Sequence, residues 1–298
     1  KDQEEFIIKA REIYSIKTLE DIQKRTRIIG KICFGKDLPE FFRDLKIKND
    51  KSKQKARSDK LTYQEFEKLM DFFSKDKFMQ TYLSIAMETL ARPQELCYLK
   101  LKDVVLQDNY AFLHVSEHGK EGIKKLLVLD SYPYFIKYYK FHKTKSNLES
   151  YLFLNEYEKQ ATPFAINKKL KRACTKIGID KPITCYSLKR FGVTYKRLMG
   201  EDDLTIQRIA GWTSTKQLKV YDLTDQDDVF KRKLMEKGLI HSESIKRPDA
   251  KLCQFCGTLL GFTEKVCSTC HHILDRDLVK SKIQKDQELR EFIKGFNA

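Results

Sequence analysis

Apolar residues recur at helical spacing from the start of the chain. Phe6, Ala10 and Ile13 fall on one helical face, and a second amphipathic run covers residues 19–33. The pattern then stops at a glycine and a proline, which interrupt helices. We therefore expect residues 1–42 to be helical.

The periodic pattern resumes at Thr62. Thr62 and Glu65 are spaced as a capping box, in which two side chains satisfy backbone N–H groups at the start of a helix. A buried helix is predicted over residues 77–90, and another begins at Pro93, a residue favoured in the first helical turn. From residue 134 to about residue 240 the pattern is again mostly helical.

One stretch alternates between apolar and polar residues instead. Residues 110–115 and 125–129 alternate, and the segment between them contains Gly119 and Gly122, which predicts a β-hairpin. Residues 61–240 are therefore expected to form a mainly α domain with a small antiparallel β-sheet, an α+β fold.

Positive charge points to a partner. The 298 residues carry a formal net charge of +16. Residues 43–60 hold eight Lys/Arg against three acids, which is typical of an extended basic linker, and residues 168–190 hold eight against one. Such clustering indicates a polyanion, most commonly nucleic acid. No apolar run reaches the roughly 18 residues of a membrane span, and the polar first residues do not resemble a signal peptide.

Cysteines near the C-terminus form two CxxC pairs with ten residues between them: Cys253, Cys256, Cys267 and Cys270. Each pair directs two thiolates to one point, so the four can complete a tetrahedral Zn²⁺ site. We predict a zinc ribbon over residues 252–272 with a structural metal, because four protein ligands leave no open position for catalysis. His271 and His272 are alternative ligands, and disulfides are the alternative chemistry.

The other cysteines stand alone in apolar or mixed contexts: Cys33, Cys97, Cys174 and Cys185. We interpret them as reduced core residues of a protein that works in a reducing intracellular compartment, in the cytoplasm or on the nucleoid.

Four patches in the 61–240 domain carry candidate chemistry. Their residues are, in chain order, Arg92, Lys120, Tyr186, Lys189, Arg190, Trp212 and Tyr221. In order and spacing the patches resemble the tyrosine recombinase (phage integrase) family. That family has Arg-x-x-Glu-Leu, a lysine on a β-hairpin, His-x-x-Arg, Gly-His or Gly-Trp, and a nucleophilic tyrosine. Tyr221 follows Trp212 by nine residues, as the family pattern requires.

The resemblance implies a role for each position. Tyr221 would attack a DNA phosphodiester and form a covalent 3′-phosphotyrosine, with no ATP, nucleotide or catalytic metal. Arg92 and a second cation would stabilise the charge that develops on the phosphate. Lys120 would give a proton to the leaving 5′-oxygen, although Lys124 and Lys125 compete for that role in the same hairpin.

Two positions depart from the family pattern. Tyr186 stands where the family has His, and Lys189 aligns with its second Arg. Arg190 is the alternative phosphate ligand, because a guanidinium offers two fixed donors and an ammonium offers a point charge. The sequence leaves this choice open.

The resemblance also implies double-stranded DNA and further copies of the chain as partners, arranged as a tetrameric synapse. By the same resemblance, residues 1–42 would represent part of the family's N-terminal helical core-binding region. The helix predicted after Tyr221 resembles the family segment that docks on a neighbouring subunit. The zinc ribbon and the charged helix expected over residues 273–298 lie outside the family core, and such appendages resemble archaeal-type integrases of viruses or mobile elements. Alternative functions are a catalytically impaired DNA-binding descendant, a zinc-ribbon adaptor for nucleic acid or protein, and a type IB topoisomerase.

Overall fold

The computed structural model describes residues 2–44, 60–116, 122–240, 247–275, 279–280 and 283–288. The chain divides into two compact units, Lys1–Ala56 and Arg57–Ala298. Lys120 and most of the predicted linker lie outside the described residues. No helix in the described ranges is both long and apolar enough to cross a membrane. The finer domain boundaries stay predictions.

The described part of the first unit is helical, as predicted, with α1 (Asp2–Ile13), α2 (Ile16–Phe34) and α3 (Glu40–Asp44). The hydroxyl of Ser15 caps α2 by accepting a hydrogen bond from the backbone N–H of Thr18. Gly30 lets the chain after α2 fold back closely, because a Cβ there would lie 2.7 Å from the ring of Phe42. Cys33 is exposed, so its predicted place in a core is wrong.

The second unit is built mainly of helices. In chain order they are α4 (Tyr63–Phe72), α5 (Lys77–Thr89), α6 (Pro93–Tyr98), α7 (Tyr132–Lys140), α8 (Pro163–Ile177), α9 (Cys185–Leu198), α10 (Asp203–Ala210), α11 (Leu218–Tyr221) and α12 (Gln226–Glu236). The capping box of Thr62 and Glu65 is present at the start of α4. Pro93 is in the first turn of α6, as the sequence predicts.

A three-stranded antiparallel sheet has the order β1 (Val104–Leu106), β2 (Ala111–Val115) and β3 (Lys124–Val128). The predicted hairpin is β2 with β3, in a register that pairs Leu113 with Leu126. Both of these leucines are buried, so one face of the hairpin joins the core. The sequence did not predict β1, whose three residues are too few for a clear alternation.

Helix α5 lies in the core and contacts both α9 and α7. Gly192 on α9 allows the closest approach, because a Cβ at this position would overlap the backbone oxygen of Met87 on α5. The rings of Phe66 and Phe191 then pack together with centroids 5.0 Å apart, which connects α4 to α9. This packing fixes α9, which carries Lys189, against the core.

The cysteine-rich segment is packed on this same core. It contains β4 (Lys251–Leu252) and β5 (Leu259–Leu260), which pair antiparallel. The ring of Phe262 stacks on that of Phe66 at 5.7 Å, and Lys137 on α7 forms an ion pair with Glu264 at 2.5 Å. The hydroxyl of Tyr134 hydrogen-bonds that of Thr263 at 2.8 Å. The segment therefore contacts both α4 and α7.

Candidate active site

Arg92 is held at the start of α6 by its neighbour in the motif. The Glu95 carboxylate accepts a hydrogen bond from the backbone N–H of Arg92 at 2.7 Å and lies 3.6 Å from Nη1 of its guanidinium. The preceding turn places Leu90 in the left-handed region, with φ at 55°. Such backbone is costly for a residue with a side chain and is held here by burial.

Lys189 lies beside the rings of Trp212 and Tyr221. Its side chain is fully buried, and Nζ is 5.2 Å from the centroid of Trp212 and 4.9 Å from that of Tyr221. The two rings stack with centroids 5.3 Å apart. An ammonium over aromatic faces is attracted by their negative quadrupoles. The structure therefore brings three of the seven sequence-predicted residues into one cluster.

Tyr221 ends the short helix α11, and the chain after it is tied back to α9. The backbone N–H of Leu223 donates to the hydroxyl of Thr194 at 2.9 Å, and the Asp222 carboxylate lies 3.4 Å from Nε of Arg197. Tyr221 and Trp212 are both almost fully buried. The motif pattern did not identify Thr194 or Asp222 as supports, because they act only through contacts between distant segments.

Lys189 and Arg190 are neighbours on α9 and point in different directions, and Tyr186 lies about one turn earlier on the same helix. Consecutive residues on a helix are rotated by about 100°, so Lys189 and Arg190 cannot occupy the same direction. Arg190 is half-buried, whereas the Tyr186 side chain is 42% exposed. Nζ of Lys189 lies 4.9 Å from the centroid of the Tyr221 ring.

A second set of contacts includes Lys124, at the start of β3. Its Nζ lies 2.7 Å from Oε2 of Glu95 and donates to the backbone oxygen of Ala210 at 3.1 Å. Ala210 comes just before the Gly211-Trp212 pair. The sequence had marked Lys124 only as an alternative to Lys120.

Basic side chains form an exposed row on α8, as the charge of residues 168–190 predicts: Lys168, Lys171, Arg172 and Lys176. Helix α8 packs against α4, α6 and α9, so its buried face belongs to the core. The row offers positive charge to a polyanion.

The four Sγ atoms of Cys253, Cys256, Cys267 and Cys270 lie within 4.8 Å of one another. A tetrahedral zinc with Zn–S bonds of about 2.3 Å requires sulfurs roughly 3.8 Å apart, so this donor set fits the ion. The backbone N–H groups of Thr269 and Cys270 approach Sγ of Cys267 at 3.4 and 3.5 Å, as expected for a thiolate acceptor. The group can hold a metal such as zinc.

A model described as the phage integrase family matches residues 59–227, more than half of the chain. No curated protein sequence matches the chain significantly.

Solved structures share the fold at low identity. The XerA recombinase is 23% identical with a TM-score of 0.51, over 61% of this chain and 65% of that one. The Tn1549 transposon integrase, solved with transposon right end DNA, is 19% identical with a TM-score of 0.61, over 80% and 85%. A lambda integrase dimer bound to a COC′ core site is 17% identical with a TM-score of 0.50, over 69% and 57%. The chain thus spans less than two thirds of XerA and of lambda integrase.

Proposed function

This chain belongs to the phage integrase family, and on that premise we propose that it is a tyrosine site-specific recombinase that cleaves and rejoins DNA through Tyr221. The observation that carries the proposal is the cluster in which the Lys189 ammonium lies against both Tyr221 and Trp212. An ammonium that lies against the ring of the nucleophile is placed to stabilise the charge that develops on the phosphate which Tyr221 attacks.

The proposed step balances without a cofactor. The Tyr221 hydroxyl gives its proton to a water molecule and forms a bond to phosphorus, while the bond from phosphorus to the 5′-oxygen breaks. Lys120, assigned by family resemblance, protonates the leaving 5′-oxygen. Attack by a 5′-hydroxyl on the phosphotyrosine reverses these changes and rejoins a strand. The covalent intermediate keeps the bond energy, so no ATP is required.

We assign Arg92 and Lys189 to the transition-state phosphate. Glu95 fixes the backbone and guanidinium of Arg92, and this preorganisation favours electrostatic stabilisation of the developing charge. We prefer Lys189 to Arg190 because its Nζ lies 4.9 Å from the centroid of the Tyr221 ring. Since an ammonium is a point charge, we expect slower cleavage than with a bidentate arginine. Tyr186 stands one turn earlier on the same helix, and we assign it to the edge of the site.

Duplex DNA is the proposed substrate, and the exposed basic row on α8 supports it. A second copy of the chain is the proposed protein partner. Helix α12 leaves Val229, Phe230 and Leu234 exposed, and an apolar helical face of this kind favours burial against a neighbour. The number of copies follows from the resemblance to the family, by which we propose a tetrameric synapse, formed inside the cell.

The metal is proposed to be Zn²⁺ in a structural role. Four thiolates would fill its tetrahedral shell, so it would supply folding energy and no chemistry. We propose that the metal affects the active site only indirectly, because Phe262, Thr263 and Glu264 contact helices α4 and α7.

The proposal is tested by trapping a covalent protein–DNA adduct on a nicked duplex. Cleavage of this duplex releases a short fragment that diffuses away, so the strand cannot be rejoined. We expect wild-type protein to form an adduct that denaturing electrophoresis resolves, and Tyr221→Phe to bind the same DNA without forming it. An adduct with Tyr221→Phe would show that another residue is the nucleophile. Salt-sensitive DNA binding with no adduct from either protein would favour a catalytically impaired DNA-binding protein, which the lysine at position 189 makes the second candidate.

A further inference from the structure

Lys124 contacts two of the proposed catalytic motifs, which are far apart in the sequence. Its side chain is only 8% exposed, and its Nζ contacts the Glu95 carboxylate at 2.7 Å and the backbone oxygen of Ala210 at 3.1 Å. Glu95 holds Arg92, and Ala210 precedes Gly211 and Trp212. One ammonium thus connects the Arg92 motif with the segment that carries Trp212.

The aliphatic part of Lys124 also fits against the Gly-Trp motif. Gly211 ends α10 in the left-handed region, with φ at 69°. A Cβ on Gly211 would lie 2.7 Å from Cδ of Lys124. Glycine at this position therefore serves two purposes, because it permits the turn and leaves room for the lysine stem.

The charges explain why a lysine is needed. The Glu95 carboxylate is buried and lies 3.6 Å from Nη1 of Arg92. Without a second cation, this carboxylate would offset the positive charge that Arg92 offers to a phosphate. Lys124 neutralises Glu95 at 2.7 Å, so the set of two cations and one carboxylate keeps a net positive charge.

We infer that Lys124 is a positioning residue for the cleavage reaction: it aligns the Arg92 motif with the Trp212 segment and neutralises Glu95. This inference rests on the proposed function. Lys124 already donates to two protein acceptors and is almost fully buried, so the role differs from that of the proton donor.

Single-turnover cleavage of the nicked duplex tests the inference with three variants. Lys124→Met should slow adduct formation roughly 10- to 100-fold while DNA affinity stays within about threefold, because misplacement and lost charge act on the transition state. Lys124→Arg should recover most of the rate. The double variant Glu95→Gln with Lys124→Met should be faster than Lys124→Met alone, because no carboxylate then offsets the positive charge of Arg92.

A matched control is Lys102→Met. Lys102 also pairs with a glutamate, Glu149, at 2.8 Å, but this pair is exposed and lies outside the site. Its cleavage rate should equal that of the wild type. If Lys124→Met does not fold, the double variant carries the test, since it removes both charges of the Lys124–Glu95 ion pair together.

The emission of Trp212, the sole tryptophan, provides a readout that does not require activity. In DNA-free protein, Lys124→Met should shift this emission and Lys102→Met should not. Unchanged emission together with a wild-type cleavage rate in Lys124→Met overturns the positioning role. A wild-type protein that forms no adduct overturns the proposed function instead, and a shifted emission in that case still supports the alignment of Trp212 by Lys124.

Discussion

Trp212 stacks on Tyr221 with ring centroids 5.3 Å apart and 19° between the ring planes. Nζ of Lys189 is within 5.2 Å of both centroids. The aromatic faces thus hold the cation in the DNA-free protein. A phosphate attracts an ammonium more strongly than an aromatic ring does, so DNA binding should draw Lys189 away from the rings.

Tryptophan fluorescence should report this movement. Trp212 is the sole tryptophan, so titration with duplex DNA should change the intrinsic emission of the wild type and of Tyr221→Phe. The change should be much smaller in Lys189→Met, which keeps the side-chain length and removes the charge. A saturated DNA complex of the wild type with unaltered emission would contradict the proposed transfer of Lys189 to phosphate.

The phosphate ligand on α9 can be identified by a pair of matched substitutions. Lys189→Met should slow cleavage roughly 100-fold, because its Nζ lies against the Tyr221 ring, and Arg190→Met should slow it less than about tenfold. Single-turnover adduct formation at saturating DNA separates this effect from binding. A larger loss in Arg190→Met would reassign the phosphate contact to Arg190.

Metal removal should destabilise the helical core of the second unit as well as the cysteine-rich segment that packs on it. Phe262 stacks on Phe66, whose ring also packs on Phe191 of α9, so the segment supports the helix that carries Lys189. A chelator should lower the Tm by at least about 5 °C. The chelator should lower the Tm of Phe262→Ala by less, because this variant already lacks the contact between Phe262 and Phe66.

Cys33→Ser serves as the control for the metal experiment. Cys33 is an exposed cysteine of the first unit and lies outside the four-thiol group. Its response to the chelator should match that of the wild type. If the wild type has the same Tm with and without metal, the cysteine-rich segment does not stabilise the helical core of the second unit.

Gly192→Ala should lower the free energy of unfolding by about 3 kcal/mol, since the added methyl group overlaps the Met87 backbone oxygen and forces α9 away from α5. Gly178→Ala is the comparison. Gly178 has a positive φ of 72° but open space around it, so only conformational strain of about 1 kcal/mol is expected. Denaturant titration measures both. Equal losses would mean that the α5–α9 interface adapts to the methyl group.

Stability should fall at acidic pH partly through Glu65. Burial opposes its ionisation, but hydrogen bonds from Lys181 and from the backbone of Thr62 outweigh burial and lower the Glu65 pKa below 4.5. A lowered pKa in the folded state means that the stabilisation is present above the unfolded-state pKa and is lost as pH falls through the folded-state value. Glu65→Gln should therefore cost stability at neutral pH and approach the wild type in acid. A stability difference that is the same at neutral pH and at about pH 3 would contradict this assignment.

Local patterns in the sequence determined much of the framework. The capping box of Thr62 and Glu65, the helix beginning at Pro93 and the β2–β3 hairpin each follow from residues that are close in sequence, and the structure confirms them. The two CxxC pairs likewise define a four-thiol group, because each knuckle is made within one turn. The order of the motifs indicated the family, which the family match confirms.

Only the tertiary structure shows that Lys189 lies against the rings of Trp212 and Tyr221 and that Lys124 contacts Glu95 and Ala210. A helix rotates by about 100° per residue, so neighbours such as Lys189 and Arg190 differ in direction only once α9 is fixed by its packing. Gly192 and Phe191 provide that packing through α5 and α4. Lys124 reaches Glu95 and Ala210 only because the sheet and two helices meet there. No local pattern encodes such a meeting, because it depends on how distant segments bury their surfaces together.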